Sequence, residues 1–252
     1  MCFRQIFSIT CCAVVMVFPN LSRAQLSEPL YVIDHPTAGL LQNGGYHFQG
    51  RLGPESSILL GLRVGFRNFL QVGASFGMQR VFERGSVDVN DRVGFRVRVR
   101  LFEETESPAL AVGFDSQGQG FYHGDLERYD RKSPGFYGVL SKNYALGAGF
   151  FSIHGGVNYS LEREDDDDPN LFAAAEWELV ESFAILLDAD AALNDNNEGS
   201  GFGEGGIYLD AALRVTYGES LSMMLIFRDL TGNFEGSDRV GREFEIGFVD
   251  TF

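Results

Sequence analysis

The sequence predicts an all-β protein, a single antiparallel transmembrane β-barrel of about 12 strands that follows a cleaved signal peptide. Three observations predict it. Apolar and polar residues alternate with period two over many separate segments, the signature of a strand with one apolar face. Beyond residue 24 no apolar run exceeds about six residues, as in Met223-Met224-Leu225-Ile226-Phe227, whereas a spanning helix needs ~20. The 31 glycines would weaken a helix bundle, and the 23 Phe and 9 Tyr suit strands.

The first element lies outside the barrel. Arg4 supplies a positive start, Ile6 to Phe18 an apolar stretch and Ser22-Arg23-Ala24 a small-x-small cleavage site, so residues 1–24 read as a secretory signal peptide. All three cysteines (Cys2, Cys11, Cys12) fall within it, which leaves the mature chain without a thiol for a disulfide, a metal or covalent catalysis. The mature balance, 18 basic against 35 acidic residues, is −17 and argues against nucleic acid as a partner. Residues 25–43 read as a periplasmic N-terminal segment and 44–252 as the barrel.

Twelve strands are expected to start near Tyr46, Ser57, Phe69, Arg92, Pro108, Gly135, Ala145, Leu171, Ser182, Gly206, Ser220 and Val240. The clearest is Arg92 to Leu101. Val93, Phe95, Val97, Val99 and Leu101 fall on one side, with Arg92, Gly94, Arg96, Arg98 and Arg100 on the other. A helix would spread those arginines around its circumference. About 19 residues per strand and connection fit membrane strands of ~9 to 11 residues. Connection lengths alternate as well. Arg67-Asn68, Asn143-Tyr144, Glu181-Ser182 and Gly218-Glu219 are short, whereas Arg80 to Asp91, Gln117 to Ser133, Leu193 to Gly205 and Thr231 to Arg239 are long. An even strand number with short turns at one end and long loops at the other is expected to leave both termini in the periplasm. A secreted sandwich or solenoid would also alternate, but so many strands with one apolar face normally close to remove their edges, and no fixed-period repeat is visible.

The last residues, Arg242-Glu-Phe-Glu-Ile-Gly-Phe-Val-Asp-Thr-Phe252, resemble the C-terminal signature of Gram-negative outer-membrane β-barrels. Phe252, Phe248, Ile246 and Phe244 match its alternate apolar positions, while Asp250 departs from it. The resemblance implies recognition of this end by the barrel assembly machinery, integral residence in the outer membrane, and lipid and lipopolysaccharide as surroundings. Pro108-Ala-Leu-Ala-Val-Gly-Phe-Asp-Ser116, Ser133 to Lys142 and Pro36-Thr-Ala-Gly39 are similar to YjbH-type barrels. That likeness implies polysaccharide export and polysaccharide as a partner, and no functional residue is carried over from it.

With apolar residues turned to lipid, the alternate residues line the lumen. Arg63, Arg67, Arg92, Arg96, Arg98 and Arg100 would form a basic wall, and Glu176, Glu178, Asp188, Asp190, Asp210, Glu243 and Glu245 an acidic wall opposite. A wide lumen would make these walls a transverse field that filters polar solutes; a narrow one would make them interlocking ion pairs that close the barrel. The main functional expectation is passage or handling of small polar solutes or glycan. The alternative is a closed barrel acting through its surface loops as an adhesion, a scaffold or an export accessory.

No catalytic residue, cofactor or metal site is expected. Ser152-x-His154 reverses the His-x-Ser order of outer-membrane lipid hydrolases and points inward, away from lipid. No His spacing suits zinc. Asp165-Asp-Asp-Asp168 reads as a solvated loop, with a cation contact to lipopolysaccharide as second choice. The loop from Phe121 to Ser133 could fold into the lumen as a constriction or bind a glycan outside. Trp177, Tyr217, Phe227 and Phe248 are placed for an interfacial aromatic girdle.

Overall fold

The computed structural model describes residues 28–147, 149–162, 166–197, 200–235 and 239–252; the expected signal peptide lies outside the described residues. Twelve strands close into an antiparallel barrel: β1 (Gly45–Gly53), β2 (Ser57–Phe66), β3 (Leu70–Gln79), β5 (Gly94–Phe102), β6 (Ala109–Asp115), β9 (Gly135–Leu146), β10 (Gly149–Tyr159), β11 (Asn170–Val180), β12 (Phe183–Asp190), β13 (Tyr208–Tyr217), β14 (Leu221–Arg228) and β15 (Gly241–Thr251). Each strand pairs with its neighbours in the barrel. Closure comes from β1 against β15, with Phe48 opposite Phe248 and Gly50 opposite Ile246. A two-residue strand, β4 (Asp88–Val89), extends β3 at the rim, and β7 (Gln119–His123) with β8 (Arg128–Arg131) forms a hairpin within the longest connection. Eleven of the twelve expected starts fall within two residues of these bounds. The exception is Ala145, since β10 begins at Gly149 after a turn carried by Gly147 at φ +63°.

The barrel is inside out compared with a water-soluble protein. The large exposed side chains are apolar, among them Leu62, Phe95, Val97, Leu140, Leu187, Leu213 and Ile246. The buried ones include Arg63, Arg96, Arg98, Asp115, Glu176, Asp188 and Asp210. Period-two alternation produces this directly, because successive side chains leave opposite faces of the sheet. An apolar exterior this continuous is stable against acyl chains rather than water. Trp177 and Tyr217 face outward near the ends of β11 and β13, and Phe244, Ile246, Phe248 and Phe252 lie on the outside of the closing seam.

Residues 28–43, within the segment expected as periplasmic, run inside the barrel. From Gly45 the chain leads back beside the β2–β3 turn, where the Asn43 amide donates to Asn68 (2.6 Å) and the Arg67 amide donates to Asn43 (2.8 Å). It then passes over Gly65, whose lack of a side chain is required here: a Cβ would stand 2.4 Å from the Gln42 carbonyl. Deeper in, residues 30–37 turn back on themselves, with the Val32 amide donating to His35 O and the Thr37 amide to Leu30 O, each at 3.2 Å. Glu28 returns to the turn end, where it meets Arg100.

The apolar part of this segment explains why it stays. Val32 and Ile33 pack against inward-facing Ala174, Ala184, Leu186, Ala212, Met224 and Ile226, while Ala38 packs against Ala109, Ala111, Tyr137 and Val139. Burying Val32 and Ile33 contributes roughly 1.5–3 kcal/mol each. A water-filled lumen would leave those inner-face residues wet.

Candidate functional site

The site is the lumen with the segment that occupies it. On one side stand β2, β3 and β5. Three arginine groups from this wall surround the ring of Tyr31, with Cζ atoms 4.6 Å (Arg63), 5.5 Å (Arg96) and 4.7 Å (Arg98) from its centroid. Arg98 donates to the Leu30 and Gly39 carbonyls, both at 2.8 Å, and to the Tyr137 hydroxyl at 3.0 Å. Gly113 is needed here, since a Cβ would lie 2.4 Å from that hydroxyl. The basic wall therefore receives what it can bind, a π face and carbonyl oxygens.

Opposite it, the acidic wall receives donors. The Oδ2 of Asp188 accepts the backbone amides of Ile33 (3.3 Å), Asp34 (2.9 Å) and His35 (3.1 Å), while Oδ1 lies 2.5 Å from His35 Nδ1. The second imidazole nitrogen faces Asp190 at 3.4 Å, and the ring stacks on Phe172 at 4.5 Å. Carboxylates before both ring nitrogens favour the doubly protonated ring. Burial alone would hold the imidazole neutral, but Asp188 and Asp190 outweigh it and raise its pKa to about 10. Asp34 is held by Arg51 (2.7 Å) and by Arg228. One short segment thus presents acceptors to the cationic side and donors to the anionic side.

The acidic wall is otherwise paired across short distances. Glu176 meets Arg214, Asp210 meets Arg131 (2.9 Å) and Arg228 (3.0 Å), Glu243 meets Arg228 (2.7 Å), and Glu245 meets Arg51 (2.7 Å). Glu178, half-buried at the turn end, has no such partner among the described residues.

Two members of the expected basic wall stand elsewhere. Arg67 is exposed in the β2–β3 turn with φ +50°, because a two-residue hairpin turn takes the residue after the last strand position out of the alternation. Arg92 precedes β5 at the rim and lies over Tyr122 of the hairpin, 5.6 Å from its ring centroid. Arg63, Arg96 and Arg98 face the lumen; Arg100 does so at its turn end, with Glu28 and Glu103 as partners.

The β7–β8 hairpin folds inward rather than out. Arg131 crosses to Asp210 of β13, and Arg128 pairs with Asp195 at 2.9 Å while stacking on Phe202 at 3.6 Å. Glu162 accepts the Tyr129 and Ser133 amides at 3.0 and 3.2 Å, and burial raises its pKa against those bonds. Ser152 and His154 face the lumen with separate partners: Ser152 donates to Asn143 (2.6 Å), and His154 Nδ1 meets the Ser141 hydroxyl (2.8 Å). Of the acidic loop, Asp166, Asp167 and Asp168 keep ligand atoms within 4.8 Å of one another, while Asp165 lies outside the described residues.

Two cavities flank the segment among the described residues. One of about 870 Å³ opens at the turn end, lined by Glu176, Glu178, Arg214 and Met224; another of about 570 Å³ lies beneath the long loops, lined by Arg51, Arg96, Arg131 and Arg228. Tyr31, Ile33, Gln49 and Arg63 line both.

The role of residues 28–43 lay beyond the alternation argument, yet a signal exists. In Met223 to Phe227 and Ala184 to Leu187 both strand faces are apolar. An apolar inner face in a barrel implies something apolar inside it.

No family model matches the chain, and no curated protein matches it. Among solved structures it is similar to the KdgM porin, with a TM-score of 0.49 and 10% identity over 82% of this chain and 99% of that one. It is also similar to the COG4313 outer membrane channel from Pseudomonas putida F1 (TM-score 0.43, 10% identity, 84% and 97% covered) and to the translocator domain of the autotransporter NalP from Neisseria meningitidis (TM-score 0.39, 13% identity, 82% and 86% covered).

Proposed function

We propose that the protein is an outer-membrane channel that passes small polar solutes, with residues 28–43 as the gate of its own lumen. The observation that supports this is the pair of cavities, about 870 and 570 Å³, that meet at Tyr31 and Ile33 of that segment. Both walls hold the segment through groups that a polar solute or water could replace: carbonyls on Arg98 and amides on Asp188. In this reading the turn end and both termini face the periplasm, the long loops face outward, and lipid and lipopolysaccharide surround the apolar exterior. Phe244, Ile246, Phe248 and Phe252 serve as the assembly machinery's recognition signal. The lumen takes no part in bond-making.

Single-channel conductance of the refolded mature chain in planar bilayers tests this. The wild type is expected to conduct weakly or in brief openings. A Tyr31→Ala, His35→Ala, Asp34→Ala triple variant, which removes the segment's side-chain contacts to both walls and leaves the backbone bonds to Arg98 and Asp188, is expected to open more often and for longer. A triple variant that folds by heat-modifiable gel mobility but conducts no more than the wild type overturns the reading.

The inward hairpin, with Arg131 across the lumen on Asp210, favours a second reading: a permanently closed barrel acting through its outer loops. The YjbH-like motifs would make such a barrel an accessory of polysaccharide export, with polysaccharide bound at those loops.

A further inference from the structure

The lumen does not treat its arginines alike. Arg51, Arg131, Arg214 and Arg228 each meet a carboxylate. Around Tyr31, three guanidinium groups share one. Asp115 accepts from Arg96 Nε (2.8 Å) and from the Tyr31 hydroxyl (2.9 Å). Arg98 donates through Nε to a phenol and through Nη1 to two carbonyls, and its Nη2 has no partner among the described residues. Arg63 donates only to neutral groups, His47 Nδ1 (2.7 Å) and Gln49 Oε1 (2.6 Å). Its Nε and the Nη1 of Arg96 have no partner among the described residues, although the two residues are only 3% and 8% exposed.

Register places those two arginines level with each other. Arg63 of β2 and Arg96 of β5 both sit opposite Gly73 of β3, so no side chain from the intervening strand stands between them. Both line the cavity under the long loops. Asp34 and Glu243, carboxylates of the same cavity, are committed to Arg51 and Arg228. Two like charges side by side in a low-dielectric interior are costly unless an anion joins them. Guanidinium forks with free N–H groups suit the planar or tetrahedral oxygens of a carboxylate or phosphate better than a halide.

We propose that Arg63 and Arg96, above the ring of Tyr31, form a binding site for the oxyanion group of a small solute entering from the loop side. The inference deepens the channel reading in naming a solute class, but binding at this site requires no passage. It predicts that cargo carrying one carboxylate or phosphate is retained in the upper cavity in preference to neutral cargo of equal size.

The test is isothermal titration calorimetry on the full mature chain refolded in detergent, with inorganic phosphate and acetate titrated separately at fixed ionic strength. Saturable 1:1 binding is expected, weakened about tenfold or more by Arg63→Gln or Arg96→Gln. Arg80→Gln, which removes a rim pair with Asp88, should bind as wild type. Phosphate binding without acetate assigns the site to phosphate-bearing solutes, and the reverse to carboxylates. A folded barrel that binds neither ion, or one whose binding survives both substitutions, overturns the proposal. Should Arg96→Gln fail to fold for want of a partner to Asp115, Arg63→Gln, which breaks no ion pair, carries the test alone. Conductance separates the two readings. Binding in a silent barrel keeps the anion site and removes the channel, and conduction without binding does the reverse.

Discussion

The two walls of the lumen carry opposite charge and handle it differently. On β11 to β15 nearly every carboxylate meets a cation, and the N-terminal segment adds His35 and three amides to Asp188. On β2 and β5, Arg63, Arg96 and Arg98 meet carbonyls, a phenol, an imidazole and a tyrosine ring, with Asp115 of β6 the carboxylate that Arg96 meets, while Arg100 at the turn end meets Glu28 and Glu103. A saturated wall holds its shape and offers a solute little. Unpaired N–H groups occur on both sides among the described residues, at Nε of Arg131 and Arg228 as well as at Arg63, Arg96 and Arg98. The difference is therefore one of charge: the basic side has cations without a carboxylate, and that surplus is available to a ligand. The difference assigns structure to the acidic side and recognition to the basic side.

The largest effect expected from breaking this contrast is at Asp188. Asp188→Ala leaves three amides and an imidazolium without their acceptor, and loss of one partner of a buried pair costs about 3–5 kcal/mol. Urea unfolding in lipid vesicles should show that loss, with proteolysis near Leu30 as the local sign. A variant as stable as wild type would mean that the segment is not held from this side. Next comes the outward face, which tests what the walls stand in. Val97→Arg, one residue from Arg98 but 41% exposed on the apolar side, should cost ~2–4 kcal/mol in a bilayer. An effect under about 0.5 kcal/mol, the usual size at a water-exposed position, would count against a membrane location.

His35 gives the contrast a pH dependence. Its folded pKa, about 10, lies above the ~6.5 of an unfolded chain, so the folded state binds the proton more tightly. The stability it contributes is complete below pH ~6.5 and is lost as pH rises through about 10. The gap in urea stability between wild type and His35→Gln should narrow over that window. A gap that stays constant would mean that the imidazole is not charged in the fold.

Most of the barrel was legible because its cause is local. Alternation fixes which face each residue takes, so Val97 outward and Arg96 and Arg98 inward follow from position alone. The strand count followed from the same rule. What fills the lumen depends on contacts such as His35 with Asp188, 153 residues apart, and period-two reading carries no information on those. Arg67 shows the limit from the other side. It keeps the parity of the wall yet leaves it, since the turn after Phe66 requires two residues at positive φ, Arg67 and Asn68. The expected interlocking of the two walls is not what pairs the acids: Glu176, Asp210, Glu243 and Glu245 meet Arg214, Arg131, Arg228 and Arg51, none of them in the expected basic wall, and alternation says nothing about that choice.

The smaller predictions concern the basic wall. Arg63→Met removes a buried cation that has no carboxylate, so without added oxyanion it should shift stability by less than about 1 kcal/mol, or raise it, where the matching loss at Asp188 is severe. A loss as large as that of Asp188→Ala would show that Arg63 is as structural as the acidic side, and the division of labour between the walls would fall. Arg67→Ala should change least of all, within about 0.5 kcal/mol in stability and with no effect on phosphate binding, because its side chain stands in the exposed turn. Its value is as a measure of range. If Arg67→Ala weakened anion binding as much as Arg63→Gln, the attraction would come from the net field of the arginines rather than from two forks level at Gly73, and raising the salt concentration would abolish it.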